Sequence, residues 1–364
     1  MSGYNVTCYE VTPSTITGKT YNTELLSGKL VKTIDETSKL TFSLPSTVVS
    51  KAELMPFKTL VKVTKGQEEL FFGTLIKRSY SILDGTFSYE CTGVLGSYQY
   101  MPPYRGFAAN AELQDIILLT ESRFMGTEVG PASCANPWSE LYSGKSDLAG
   151  FGWLNCTYTG CTMNASFPDI RDNSENAYEF LKAIAEPGNY YLPNGWDWCH
   201  WIEEGRVARL VPISGVNDQA IVYDRNLISC DIEINPYVTR ARVSGKGLTI
   251  EKAGANYPNI FNYKEFHLDD KANGSNYTQT ELERYADNYL SEQEVIINAV
   301  GFDEGILDNG MPFLDMGKFV RIVYLEDNVP TVIQATISQI TYNLTNPSQD
   351  RVQLGKRIKP LTER

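Results

Sequence analysis

The sequence predicts an α+β fold that is mainly β, with two β-rich halves flanking a mixed α/β middle segment. Three observations predict it. Residues 60–98 read as three β-type runs, broken at Lys65-Gly66 and Asp84-Gly85 and ended by Gly93. Residues 317–355 repeat that pattern with little residue identity. Between them the composition shifts at Met101-Pro102-Pro103-Tyr104, and helical periodicity appears.

Taken in order, Tyr4 to Val11 is a strand candidate. Leu40, Phe42 and Leu44 alternate on one face of a second, ended by Pro45. The meander follows, with runs starting at Leu60, spanning Leu70–Ile82 and spanning Thr86–Thr92. Asp84-Gly85 between such runs predicts a type I′ hairpin, which needs positive φ at both central residues. A lone meander leaves open edges, so further strands are expected to close a small barrel or a sandwich.

In the middle segment, Leu113, Ile116, Ile117 and Thr120 predict a helix over 108–124 with Asn110 as N-cap. Residues 125–170 read as irregular loops with short strands. Ala177, Leu181 and Ile184 predict a second helix over 174–186, stopped by Pro187-Gly188. Strands are expected at 189–192, 196–203 and 206–213, with a turn at Glu204-Gly205.

The second half opens near Asn217 with strand candidates at 220–223, 227–234 and 238–244, and a further strand within 245–270. Thr278 and Glu281 form a capping box before the apolar stripe Leu282, Tyr285, Ala286, Tyr289 and Leu290, predicting a helix over 278–292. Val295–Val300 returns to strand. The second meander then runs through Phe319–Tyr324, Thr331–Tyr342 and Arg351–Leu354.

Composition narrows the function classes. The chain has 364 residues, 42% hydrophobic and 21% charged, with a net charge of −12. An acidic chain lacks the counterion-release term that drives tight nucleic-acid binding, so no specific nucleic-acid binding is expected. It suits a wall that DNA slides past, an idea that a Lys/Arg-lined pore would contradict. No apolar run reaches the ~20 residues of a membrane helix, and no secretory signal is expected at the N-terminus. The seven cysteines, Cys8, Cys91, Cys134, Cys156, Cys161, Cys199 and Cys230, show no C-x-x-C pair and are expected to be reduced, with Cys91 and Cys230 in the core.

Motifs for chemistry are sparse. His200 and His267 belong to no zinc-protease or haem pattern, and Cys156, Cys161, Cys199 and His200 lack the spacing of a zinc module. No hydrolase, P-loop or dinucleotide signature occurs, and no cofactor is expected. Glu203-Glu204 and Asp269-Asp270 are neighbours that point to opposite faces of a strand, which favours solvated charge over a glycosidase pair. The sharpest anomaly is Trp196-Asp197-Trp198-Cys199-His200-Trp201. Trp196, Trp198 and Trp201 are candidate ligand or partner contacts, for instance to sugar rings; the alternative places them in the core on both faces of a sheet.

Phe71-Phe72-Gly73-Thr74-Leu75-Ile76 with Tyr89-Glu90-Cys91-Thr92-Gly93-Val94-Leu95 resembles the N-terminal barrel of bacteriophage tail hub proteins. These are the tail-associated, or prophage endopeptidase tail, proteins, with a baseplate-hub-like fold. Residues 176–181 through 209–212 resemble their central helix-plus-strands segment. Residues 238–245 and 317–362 resemble their second barrel. The resemblance implies two tube-like β-barrels, at 1–98 and 217–355, with a mixed α/β insertion at 99–216 and a polar tail at 356–364. It further implies a homotrimer in the virion, made in the bacterial host cytoplasm, that adapts a six-fold tail tube to a three-fold tip. Its partners would be a distal tail ring protein and a tape-measure protein, and also tail fibres or receptor-binding proteins. Relatives often continue into a lysin domain after the second barrel; none is expected here, and no enzymatic activity is carried over.

Overall fold

The computed structural model describes residues 3–11, 16–100, 153–156, 175–184, 200–211, 215–218, 220–222, 229–234, 240–245, 247–253, 263–268, 276–290, 295–300, 314–326 and 329–354. The expected helix over 108–124 and the strand at 189–192 lie outside these residues.

The chain begins with the hairpin β1 (Tyr4–Val11) and β2 (Ile16–Tyr21), then β3 (Ser27–Thr33) and β4 (Lys39–Pro45). The predicted meander follows as β5 (Thr59–Lys65), β6 (Glu68–Ser81) and β7 (Thr86–Thr92), each antiparallel to the next. Its turns differ from the expectation. Gly85 has φ +60° while Asp84 is not in the left-handed region, and four residues separate the last pair, Ser81 and Thr86. That loop is longer than a type I′ turn. Gly66 alone carries the positive φ in the two-residue turn between Lys65 and Glu68, as a type II′ turn requires.

A short helix α1 (Val94–Ser97) and a 3-10 turn (Tyr98–Tyr100) close the first unit. In the middle segment lie β8 (Trp153–Cys156), α2 (Ala177–Ile184), β9 (His200–Glu204) and β10 (Val207–Val211). Asn176 Oδ1 accepts the Glu179 amide at 2.9 Å and so starts α2. The second unit has β11 (Ile221–Val222), β12 (Ser229–Ile234), β16 (Val295–Val300), β17 (Phe319–Glu326), β18 (Val329–Asn343) and β19 (Arg351–Leu354). Between β12 and β16 sit β13 (Arg240–Gly245), β14 (Leu248–Ala253), β15 (Tyr263–His267) and α3 (Gln279–Leu290). The capping box forms: Glu281 Oε2 accepts the Thr278 amide at 2.6 Å, and Thr278 Oγ1 accepts the Glu281 amide at 3.3 Å. The α3 stripe packs on its own three-stranded sheet, with Ala241, Val243, Leu282 and Ala286 buried as a separate core.

The fold is α+β and mainly β, and its two β units are continuous. One thirteen-stranded sheet runs β12-β16-β19-β18-β3-β4-β7-β6-β5-β1-β2, with β17 beside β18 and β11 beside β17. One buried core spans both units, from Tyr4 and Leu30 to Tyr342 and Leu354.

The repeat seen in the sequence is a repeat of topology. In the first unit the order β5-β6-β7-β4-β3 is antiparallel throughout; in the second, β17-β18-β19-β16-β12 is the same. Each long strand carries one register shift against its closing strand, between Leu75 and Lys77 in β6 and between Ile337 and Gln339 in β18. Beside each shift runs an apolar row across four strands. The first is Leu75, Cys91, Leu40 and Leu30; the second is Ile337, Leu354, Ile297 and Ile232.

Candidate functional site

The most elaborate polar packing lies where the β9–β10 hairpin rests on the joint between the two units. Gly205, with φ +54°, turns the hairpin. Ile202 and Val211 enter the shared core, while the polar side chains reach both units. Toward the first unit, Arg206 donates two hydrogen bonds to Glu69 of β6, at 3.0 and 2.5 Å. Asp35, in the β3–β4 turn, accepts the Trp201 amide at 3.0 Å and faces His200 Nδ1 at 2.8 Å. Toward the second unit, Arg209 pairs with Asp315 at 3.6 Å, and it also pairs with Glu204 in the hairpin itself.

Glu203 is the centre of this joint. It is buried, and its carboxylate accepts the amides of Ser38 and Leu95, each at 2.5 Å. Leu95 lies in the first turn of α1, where free amides point outward. A Cβ on Gly93 would collide with the carboxylate, so glycine there permits the approach. Burial pushes the Glu203 carboxyl above the usual range, against the hydrogen bonds at Ser38 and Leu95 and the charge of Lys32. Lys32 of β3 is also buried; desolvation pulls its ammonium below the ordinary value, and Glu204, Glu203 and Asp315 oppose that fall. The solvated charge expected of Glu203-Glu204 is therefore corrected. The two do point apart, but Glu203 points into a buried cradle and Glu204 toward Arg209.

The tryptophan stretch is also corrected in part. Trp201 is 0% exposed, and its indole N–H donates to the Leu181 carbonyl at 2.7 Å. It fills the space between β9 and α2 and offers no face to a ligand. Trp196 and Trp198 lie outside the described residues, as do Cys161, Cys199 and Asp269-Asp270. His200 is held by Asp35, and His267, exposed, lies 2.5 Å from Ser244 Oγ. Cys8 and Cys91 are buried free thiols whose burial raises their pKa. Among the described residues no group of three His, Cys, Asp or Glu side chains could hold a metal ion, and no helix is long and apolar enough to cross a membrane.

The joint can fasten two units and a hairpin to one another. Comparison with family models and with curated protein sequences gave no match. Solved structures do match along nearly the whole chain. The 43 kDa tail protein of prophage MuSo2 from Shewanella oneidensis superposes with a TM-score of 0.63 at 8% identity, covering 97% of this chain and 98% of that one. A tail protein from Neisseria meningitidis gives 0.61 at 11% identity, covering 97% and 96%. A prophage tail protein from Listeria monocytogenes gives 0.56 at 11% identity, covering 100% and 97%. The chain has the fold of these phage tail proteins.

Proposed function

We propose that a chain with this fold serves as a structural hub at the distal end of a bacteriophage or prophage-derived tail. Three copies form a ring that adapts a six-fold tail tube to a three-fold tip and closes or gates the DNA channel. One observation carries this reading: the repeated strand order, with its register shift and apolar row in the same place in both units. A chain with two like units gives a trimer six near-equivalent positions, the number a six-fold tube presents. The net charge of −12 suits a lumen that DNA must pass without sticking. The distal tail ring protein and the tape-measure protein are the partners this role requires, and it requires neither a cofactor nor enzymatic activity.

Light scattering of the purified protein across micromolar concentrations tests the assembly, and negative-stain images test the hole. Trimers with a central opening are expected; a compact particle without one overturns the reading. The competing role, carbohydrate-binding adhesion through Trp196, Trp198 and Trp201, loses Trp201 to the core. A tryptophan fluorescence titration with cell-wall oligosaccharides is expected to show no shift.

A further inference from the structure

We infer that neighbouring copies of this chain join edge to edge: β12 of one copy adds to Lys77–Ser81 of β6 in the next, in the register that β3 makes with β18 inside the chain. The inference rests on the ring proposed above and supplies its joint.

Within the chain, the far half of β18 is flanked on both sides. Residues 337–341 pair with β19, and Gln339–Asn343 pair antiparallel with β3. The equivalent half of β6 pairs with a strand on one side only, although the segment before β5 touches it: the Phe57 amide donates to the Leu75 carbonyl at 2.8 Å, and Arg78 donates to the carbonyls of Lys51 and Glu53. Lys77–Ser81 pair with β7, and among the described residues no strand lies on their other side. The equivalent of β3 in the second unit is β12, which pairs with β16 and, among the described residues, has no strand on its other side. A chain of two units makes one unit-to-unit junction internally. A closed ring of such chains needs the same junction again between copies, and the two groups left over here are its two halves.

The register shifts and apolar rows fix which residues meet. Leu75 matches Ile337, so Tyr80 matches Tyr342 and Ile82 matches Leu344. Leu30 matches Ile232, so Gly28 matches Cys230. Inside the chain Tyr342 pairs with Leu30, and the Leu344 amide donates to the Gly28 carbonyl at 2.9 Å. Both side chains are covered there, Tyr342 at 4% exposure and Leu344 at 5%. Of their equivalents, Ile82 stands open at 83%, and Tyr80 is 37% exposed, its ring against Phe87 with the Lys51 ammonium over it. The same pairing between copies sets Tyr80 opposite Ile232 and Ile82 opposite Cys230. It sets Ser79 opposite Glu233 and Ser81 opposite Asp231, with Lys77 diagonal to Glu233, which gives one pair of opposite charge across the edge. An exposed strand edge carrying apolar side chains is a liability in a monomer and a joint in an assembly.

The test is a cysteine pair, Ser79→Cys with Glu233→Cys, oxidised in the full-length protein and run without reductant. Neither single variant brings the two thiols together. Covalent dimers and closed trimers are expected from the double variant and not from either single one. Light scattering on the same samples separates the two levels of the proposal. Trimers that form without the inter-chain bond overturn this joint and leave the hub reading standing. Monomers without the bond overturn both. Linkage by Ser79→Cys with Asp231→Cys in place of the first pair overturns the register. Ile82→Glu gives an independent measurement, since its side chain is open in a single copy. It is expected to weaken trimer formation at least tenfold with the monomer's melting temperature unchanged; undiminished trimers contradict the joint.

Discussion

At the residue scale, Glu203 shows what adjacency in sequence cannot reveal. Two neighbouring glutamates on a strand read as solvated charge, and for Glu204 the ion pair with Arg209 lies partly open to water. The cradle around Glu203 is built from Ser38, 165 residues away, and Leu95, 108 residues away, which no local pattern reports. Glu203→Ala leaves both amides buried without acceptors, at about 1–3 kcal/mol each. A loss of roughly 2–5 kcal/mol is expected in urea unfolding, and an unchanged midpoint would remove the joint from the stability of the fold. The pH dependence has a defined sign. The folded Glu203 pKa lies above the ordinary 4.5, so the folded state holds this proton more tightly. Its contribution is full below 4.5 and is lost as pH rises through the folded value. Glu203→Gln is therefore expected to flatten the fall of stability between pH 4.5 and neutrality, measured by thermal melts across that range. The tryptophans teach the converse. Three aromatic rings in six residues look like a binding face, yet Trp201 is covered by α2, and only tertiary packing decides that.

At the element scale, both meanders were legible because their signals are local: β-type runs, turn residues and a glycine stop. The strand β1 and the capped helix α3 were legible for the same reason. β2 and β3 were not, since Ile16–Tyr21 and Ser27–Thr33 contain glycine, lysine and threonine in place of an apolar alternation. They are strands because partners on both sides supply the hydrogen bonds, or, for β2, because the β1 hairpin does. Gly73 in β6 explains part of the Phe71–Ile76 motif. A Cβ there would collide with the Thr92 carbonyl of β7 and the ring of Phe71. Gly73→Ala must push β6 away from β7 just where the long strand changes from pairing with β5 to pairing with β7. Overpacking of this kind costs typically 1–3 kcal/mol, and the collision with backbone places the variant at the upper end. A drop of about 3 kcal/mol in unfolding free energy is expected, and a wild-type denaturation curve would show that the strands separate freely at this point.

At the scale of the whole molecule, the duplication was legible as a pattern but not in letters, because pairing order and register constrain a β unit more than residue identity does. What the pattern could not show is that one unit is interrupted. In the first unit a short turn joins β3 to β4; in the second, residues 235–294 stand between β12 and β16. Ile234 and Val295 are nevertheless directly opposite one another, so the two strands meet as a hairpin would. The inserted sheet and α3 keep their own small core, apart from the one that spans both units. Removing 235–294 and joining Ile234 to Val295 by a short turn should therefore leave the main sheet intact. The shortened chain is expected to stay soluble, to keep its β-type circular dichroism, and to melt within a few degrees of the full chain. The trimers proposed for the full chain should form from it as well, since the joint inferred between copies uses β12 and β6 and not the inserted sheet. Loss of fold on excision would mean that the inserted domain braces the second unit, and that the two units, alike in strand order, differ in what makes them stable.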